Sequence, residues 1–394
     1  MIASADVVDV CPETSSTPTT FSIGTWRPNL QLMSSRELSD LPLPTAYTRG
    51  PEGVVSSLHD PTAQTAPPPG PHSAGRVVTV GNFDGVHIGH AVIVHRLCEM
   101  AAAKNAESVV LTFDPHPATL VRPDKAPTPL STAVRRAELL LGLGVDRVLV
   151  QPMVPAVVAL TATEFFDQVL CDRLATVGLV EGVDFHFGRG REGNVDTLAT
   201  LCQQHGIAFD VLHPVQQDES TISSSRVRSL IAAGEVASAN RLLTAAYRVS
   251  GTVVEGAKRG RTLGFPTANL GDPQTLLPAA GVYAATAMAE GDGTDDDRSG
   301  WYPAAVHIGA NVSFGETHLS VEAHLIGFEG DLYGRTLHVD FLQRLRETHR
   351  FDSPGALISQ LKADVQQAAD LVSASGRLLL PSRTFPLPPH PHAS

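Results

Sequence analysis

The sequence predicts an α/β protein of two unlike domains: a helix-covered parallel sheet, then an antiparallel barrel or sandwich. Three observations carry this. From Arg76 to about Ala245, short apolar runs alternate with helical patterns, the rhythm of βαβ units. From about Tyr247, strand-like runs follow one another with only turns between them, as in antiparallel barrels and sandwiches. Both ends of the 394-residue chain are rich in Pro and Ser or Thr, a composition that cannot bury enough apolar surface to fold.

The elements follow in order. "RVVTVGNF" and "SVVLTF" read as buried strands, being short, apolar and β-branched. "AVIVHRLCEMAAAK" and "STAVRRAELLLGLG" read as helices, the second closed by glycine. Later come "YRVSGTVVEG", "GVYAATAMAE", "PAAVHIGA", "LSVEAHLIGF" and "RTLHVDFLQRL", with the acidic loop "EGDGTDDDRSG" interrupting them. Ser353 offers an N-cap and Pro354 a first helical position; Leu357, Leu361, Val365 and Ala368 form an apolar stripe, so a terminal helix is expected. The expected division is a disordered Pro/Ser/Thr-rich arm (1–74), a first domain (75–245), a second (246–376) and a disordered Pro-rich tail (377–394).

A net charge of −12 argues against general affinity for nucleic acid or anionic membrane. No run has the apolar length of a transmembrane helix. The N-terminus lacks a basic region followed by an apolar segment, so no signal peptide is expected. Cys11, Cys98, Cys171 and Cys202 are scattered without a C-x-x-C pair. That suggests neither a disulfide framework nor a zinc ligand set, and a reducing cytoplasm. Oligomeric state leaves no mark in the sequence.

"GNFDGVHIGH" (Gly81–His90) runs from a buried strand into an amphipathic helix. One reading is a turn whose glycines permit tight dihedrals. A second is a metal site using Asp84, His87 and His90, with Asp114 and His116 of "TFDPHP" as another cluster. A third is a phosphate cradle of backbone N–H groups at a helix start, with imidazole donors added. The metal reading is weak because His87 and His90 straddle the helix start, where an i, i+3 pair does not automatically converge. The phosphate reading uses the strand end, the glycines, the helix start and both histidines together, and Gly89 keeps the approach to His90 open. Gly188, Gly190 and Gly193 satisfy G-x-G-x-x-G, but no clear strand and acidic ribose ligand follow, so a dinucleotide-binding reading carries little weight. "SSSRVR" reads as a capped, basic helix start. In "GAKRGRTLGFPTANL", glycines and basic residues suit an anion-binding flap. Thr267 and Asn269, two apart, share a side in an extended segment, and hard oxygens suit Mg²⁺ held with ATP phosphates. Glu322, read alone, is a solvated strand residue.

The extended string T-x-G-x-F-D-G-x-H-x-G-H, Thr79 to His90, resembles the adenylyltransferase half of the bacterial bifunctional riboflavin kinase/FMN adenylyltransferase (FAD synthetase) family. "TFDPHP", "GVDFHFGRGREGN" and "ISSSRVRSLIAAGEV" are similar to its later blocks, in the right order. "GAKRGRTLGFPTAN" resembles the family's riboflavin kinase signature, and "GVYAA", "VHIGANVSFG", "SVEAHLIGF", "DLYGRTLHVDF" and "RLRETHRF" follow suitably. The resemblance covers about Arg76 to Ala369. It implies a nucleotidyltransferase-type, Rossmann-like parallel-sheet domain, then a six-stranded antiparallel barrel with a C-terminal helix. It implies phosphorylation of riboflavin to FMN, adenylylation of FMN to FAD, ATP as co-substrate and Mg²⁺ as cofactor.

The resemblance also assigns roles. His87 and His90 meet the ATP phosphates, with Gly81, Asn82, Phe83, Asp84 and Gly89 shaping that site. Asp184 lies near nucleotide or flavin, and Ser224, Ser225 and Arg228 hold the outer phosphates. In the second domain, Gly256, Gly260 and Arg261 serve ATP, Thr267 and Asn269 the Mg²⁺, and Glu322 acts as base, with Phe265, Arg350 and Phe351 on the flavin side. Three places depart from the family pattern: L-L-G-R-P-Y reads "LLTAAY" (Leu242–Tyr247), G-x-x-P-T-F reads "GANVSF" (Gly309–Phe314), and S-S-T-x-I-R reads "SSSRVR". The residues expected to carry chemistry remain, so both activities are expected. A single active half, the adenylyltransferase for preference, and a silent flavin- or nucleotide-binding regulator are the alternatives.

Overall fold

The computed structural model describes residues 41–49, 55–58, 75–218, 220–256, 260, 263–290, 300–310 and 319–375. Arg261 and Asn311–Phe314 lie outside the described residues. The described residues from Pro42 onward form one compact unit.

A seven-stranded sheet organises the first half, in the order β2-β1-β5-β4-β3-β6-β9. Its strands are β1 (Thr45–Arg49), β2 (Val55–Leu58), β3 (Arg76–Val80), β4 (Glu107–Asp114), β5 (Arg147–Pro152), β6 (Thr176–Gly182) and β9 (Ala208–Leu212). β5, β4, β3, β6 and β9 run parallel. β3 sits where the order reverses, between β4 and β6, and such a switch point opens a crevice at the strands' carboxyl ends. Helices α1 (Ile88–Lys104), α2 (Ala118–Val121), α3 (Ala133–Gly142), α4 (Pro155–Ala159) and α5 (Ala162–Glu164) lie between these strands, with a π-helix at Phe165–Arg173. Short strands β7 (His186–Phe187) and β8 (Gly193–Asn194) precede α6 (Val195–His205); β10 (Gln216–Gln217) and β11 (Ser220–Thr221) precede α7 (Ser224–Ala232) and α8 (Val236–Leu242).

The arm expected to be disordered over 1–74 contributes two of these strands. β1 pairs antiparallel with β5 and with β2, and Tyr47 packs against the sheet's apolar core. Five residues between prolines and polar stretches carry too little periodicity to stand out; the edge of β5 gives them their hydrogen-bond partners.

The second half is a closed antiparallel barrel, β12-β13-β16-β15-β14-β17. Its strands are β12 (Tyr247–Val254), β13 (Ala268–Gly271), β14 (Gly281–Ala289), β15 (Tyr302–Ala310), β16 (Leu319–Leu325) and β17 (Thr336–Arg346). In β16, Val321, Ala323 and Leu325 are buried while Ser320, Glu322 and His324 are half-buried on the other face, the period-two pattern of a one-sided strand. β13 is the strand that the run pattern alone does not show, because "PTANLG" reads as a turn. The terminal helix α9 (Pro354–Ala374) starts at the expected cap, where Ser353 Oγ accepts from Ala356 N–H. Asp364 is buried on its inner face and held in a bidentate pair with Arg346, so the stripe holds one acid among its apolar residues.

Charge is also buried at the base of the sheet. Arg76, 1 % exposed, donates to Glu107 Oε2 at 3.0 Å, and Arg147 donates to Oε1 of the same carboxylate at 2.7 Å. Removing one partner from such a cluster leaves uncompensated charge. Glu107→Ala is expected to lower the unfolding free energy by about 3–5 kcal/mol, read from denaturant midpoints; a loss below about 1 kcal/mol would contradict this placement.

Candidate active sites

The first site grows from the end of β3. Phe83 and Val86 both adopt left-handed φ, 47° and 42°. For a β-branched residue that conformation is a true outlier, costing on the order of 1–3 kcal/mol. The carboxylate of Asp84, 5 % exposed, holds the turn in place. It accepts from Leu130 N–H, from Ser131 N–H and Oγ–H, and from Arg228 at 2.5 Å. Its main-chain carbonyl accepts from Ser224 Oγ at 2.9 Å.

That turn delivers His87 as the N-cap of α1. His87 Nδ1 accepts from His90 N–H at 3.3 Å, and His90 Nδ1 accepts from His87 N–H at 3.4 Å, a reciprocal capping box made of imidazoles. The rings stack with centroids 3.6 Å apart. With each Nδ1 occupied as acceptor, each neutral ring carries its proton on Nε2. Burial lowers the pKa of His87 to about 4 against a raising influence from Asp84. Burial, reinforced by His87 and Arg136, pushes His90 well below its ordinary value. The pair thus offers two neutral N–H donors at a helix N-terminus, the arrangement that suits an anion.

Both histidines line a cavity of about 740 Å³ at the carboxyl ends of β3, β4, β6 and β9. Gly81, Asn82, Phe83, Gly89, Asp184 and Ser224 line it too. Asp84 and Arg228 are placed differently. The carboxylate of Asp84 is spent on the loop at 130–131, and Arg228 is spent on Asp84 and on Thr128 O at 3.0 Å. They fix the wall behind the cavity. The cap of α7 is Ser223, whose Oγ accepts from Arg226 N–H, so "SSSRVR" is the capped helix start expected, with Ser224 and Ser225 in its first turn.

Three residues here carried no readable signal, or one read otherwise. Arg136, 5 % exposed, donates to Asn82 O, Thr112 Oγ1 and Phe113 O, joining the ends of β3 and β4. Glu181 accepts from Val80 N–H at 2.7 Å, and burial raises its pKa well above the usual carboxylate range. His116, first weighed as a metal ligand, meets Asn82 at 3.0 Å. Their partners lie 23 to 101 residues away, so no local motif marks them.

The second site lies on the outer face of the barrel. Asn269 of β13 stands in register with Glu322 of β16, and Glu322 with His307 of β15. Cross-strand partners share a face, so amide, carboxylate and imidazole form a row over three strands. The preceding segment crosses close above it. A Cβ on Gly256 would sit 2.2 Å from Asn269 Nδ2, and one on Gly260 would sit 2.3 Å from Phe265 O and 3.5 Å from Thr267 Oγ1, so only glycine permits this approach. His324 Nδ1 meets Pro266 O at 2.8 Å and its ring packs edge-on to Phe265 at 5.6 Å, pinning the Thr267–Asn269 segment to β16. Arg350 is exposed, and Phe351 packs beside His349 and Arg346.

Paired imidazoles at a helix start beside a sheet switch point, joined to a barrel that sets a carboxylate beside an amide, have the make-up of a two-site nucleotide-dependent transferase. The FAD synthetase family pattern matches residues 71–226 and the riboflavin kinase pattern residues 243–372. A bifunctional riboflavin kinase/FMN adenylyltransferase from Pseudomonas fluorescens is 39 % identical over 308 residues, 77 % of this chain and 96 % of that protein. Its counterpart from Bacillus subtilis (strain 168) is 32 % identical over 303 residues, 75 % and 92 % of the two chains. A solved structure described as a macrolide-efflux protein from Streptococcus pneumoniae shares the fold, with a TM-score of 0.67, 30 % identity and coverage of 76 % and 95 %. Among the described residues here, no helix is long and apolar enough to cross a membrane. The chain belongs to the bifunctional riboflavin kinase/FMN adenylyltransferase family.

The histidine pair makes this fold acid-sensitive. Burial holds the folded-state value of His87 near 4, below 6.5, so the unfolded chain takes up the proton first. Stability is intact above about pH 6.5 and is lost as pH falls towards 4, by roughly 3 kcal/mol for this residue. His87→Asn, which keeps a capping side chain, is expected to lose less stability than the parent over that window. Parallel urea unfolding series at neutral and acid pH check it; identical slopes would contradict the buried neutral ring.

Proposed function

We propose that the chain phosphorylates riboflavin to FMN on the barrel and adenylylates FMN to FAD at the sheet crevice, one ATP being consumed at each site. The stacked, neutral His87–His90 pair facing the crevice, in a chain that also sets Glu322 beside Asn269, is the observation that carries this reading.

In the crevice, an FMN phosphate oxygen attacks the α-phosphorus of ATP and pyrophosphate leaves. The attacking oxygen is already anionic, so the site needs no strong base. It needs positioning and donors aimed at the phosphate oxygens, which the two Nε2–H groups and the α1 N-terminus supply. Ser224, on the crevice wall at the start of α7, serves the outer phosphates. Asp184 faces the same space and serves nucleotide or flavin.

On the barrel the nucleophile is the neutral 5′-hydroxyl of riboflavin. Glu322 accepts its proton as the oxygen bonds to the γ-phosphorus and ADP departs. Thr267 and Asn269 offer neutral hard oxygens, a donor set that fits Mg²⁺ shared with ATP phosphates; bound there, the ion would offset phosphate charge. Gly256 and Gly260 let the backbone approach those side chains and, with Arg261, are assigned to ATP; Phe265, Arg350 and Phe351 are assigned to the flavin side. The working division is 75–245 for adenylyl transfer and 246–376 for phosphorylation. The chain acts in the cytoplasm, where riboflavin, FMN and ATP are its small-molecule partners.

Single substitutions separate the two steps. Glu322→Gln is expected to slow FMN formation from riboflavin by roughly 10²–10⁴-fold, with FAD formation from supplied FMN unchanged. His90→Ala is expected to do the reverse, slowing adenylylation by on the order of 10²-fold. Chromatography of products from riboflavin and from FMN reads both. Loss of both activities in Glu322→Gln would contradict separate sites.

A further inference from the structure

We infer that Asp167, Cys171 and His205 form a zinc-binding site that ties the π-helix to the end of α6, outside the residues that line the flavin–nucleotide crevice. Their donor atoms all lie within 4.8 Å of one another. Tetrahedral ligands about 2.0–2.3 Å from zinc stand roughly 3.3–3.8 Å apart, so modest rotamer changes close the set.

The hydrogen bonding around the cluster points to a cation. His205 Nδ1 lies 3.0 Å from Leu201 O. A carbonyl only accepts, so Nδ1 carries the ring proton and the lone pair is on Nε2. This is the second hydrogen bond typical of a metal-bound histidine. Nε2 then faces Asp167 Oδ1 at 3.6 Å. That oxygen is buried and accepts no hydrogen bond. Two acceptors therefore face one another across a gap that needs a proton or a cation. Cys171 decides between them: a thiol adds nothing to a histidine–aspartate ion pair, but it completes an O, N, S set suited to zinc.

The local fold favours the convergence. A π-helix closes its hydrogen bonds i→i+5 and so is wider-wound than an α-helix; Asp167 and Cys171, four apart on it, lie on one side of it. His205 closes α6. The charges also balance, since carboxylate and thiolate neutralise the dication and a water can take the fourth position. Phe166, beside Asp167, packs edge-on to His205 at 5.1 Å. Phe165, one residue earlier, lines the crevice, so the site acts as a staple behind one wall of it. The four cysteines show no zinc spacing in sequence because the ligands come from two helices more than thirty residues apart.

The test is titration of chelator-stripped full-length protein with Zn²⁺ by calorimetry and with Co²⁺ by absorption. The expected result is one equivalent bound with micromolar or tighter affinity, a near-ultraviolet thiolate-to-cobalt band, and a higher melting temperature with Zn²⁺. Cys171→Ser and His205→Ala are each expected to weaken uptake by roughly tenfold or more and to abolish or diminish the band. Retained adenylylation of supplied FMN, the reaction assigned to the domain that carries these residues, shows that the variants fold. Absence of uptake, a cobalt spectrum of the parent protein without the thiolate band, or uptake unchanged in both variants would overturn the assignment and leave a simple histidine–aspartate ion pair.

Discussion

The buried carboxylate of Asp84 is the constraint on which the rest of the first site depends. Its donors come from the loop at Leu130–Ser131 and from Arg228 on α7, segments far from the turn in sequence. Removing any one would leave buried charge unmatched, so the three segments are held in one geometry. This is what keeps Phe83 and Val86 in unfavourable dihedrals and places two imidazoles at the start of α1. The chain uses an acid to shape a crevice wall that the acid itself does not line.

The same constraint reaches the barrel. Leu276 N–H donates to Pro129 O, next to the loop that Asp84 holds, and Tyr247 Oη–H donates to Leu276 O. Thr244 of the "LLTAAY" junction donates its hydroxyl to Val86 O at 2.7 Å. A departure from the family pattern is thus built into the strained turn, where glycine would offer no hydroxyl. The two halves also share an apolar core that includes Val227 and Ile231 from one and Tyr283 and Phe341 from the other. The chemistry is divided between sites, but the packing is continuous.

Much of this was legible in sequence, for identifiable reasons. The glycines, histidines and "PTAN" form short local strings, and the barrel strands other than β13 stand out as strand-like runs separated by turns. Asp84 looked like a member of the phosphate site because its partner Arg228 lies 144 residues away. Glu181 and Arg136 stayed silent because a single buried charge in a strand or helix has no pattern. β1 stayed hidden because a five-residue strand gains its stability from pairing with β5 and β2, not from its own composition. "GANVSF" beyond Ala310 lies outside the described residues, so its departure from the family pattern stays an expectation about the kinase side.

The central claim is that one chain performs two consecutive ATP-dependent transfers on a flavin. A time course of the parent protein with riboflavin, ATP and Mg²⁺, resolved by chromatography beside a reaction started from FMN, tests it most directly. The account predicts FMN rising first and FAD following in the riboflavin reaction, and FAD without delay in the FMN reaction. FAD from FMN alone, with riboflavin untouched, would contradict it and leave the barrel without its assigned chemistry.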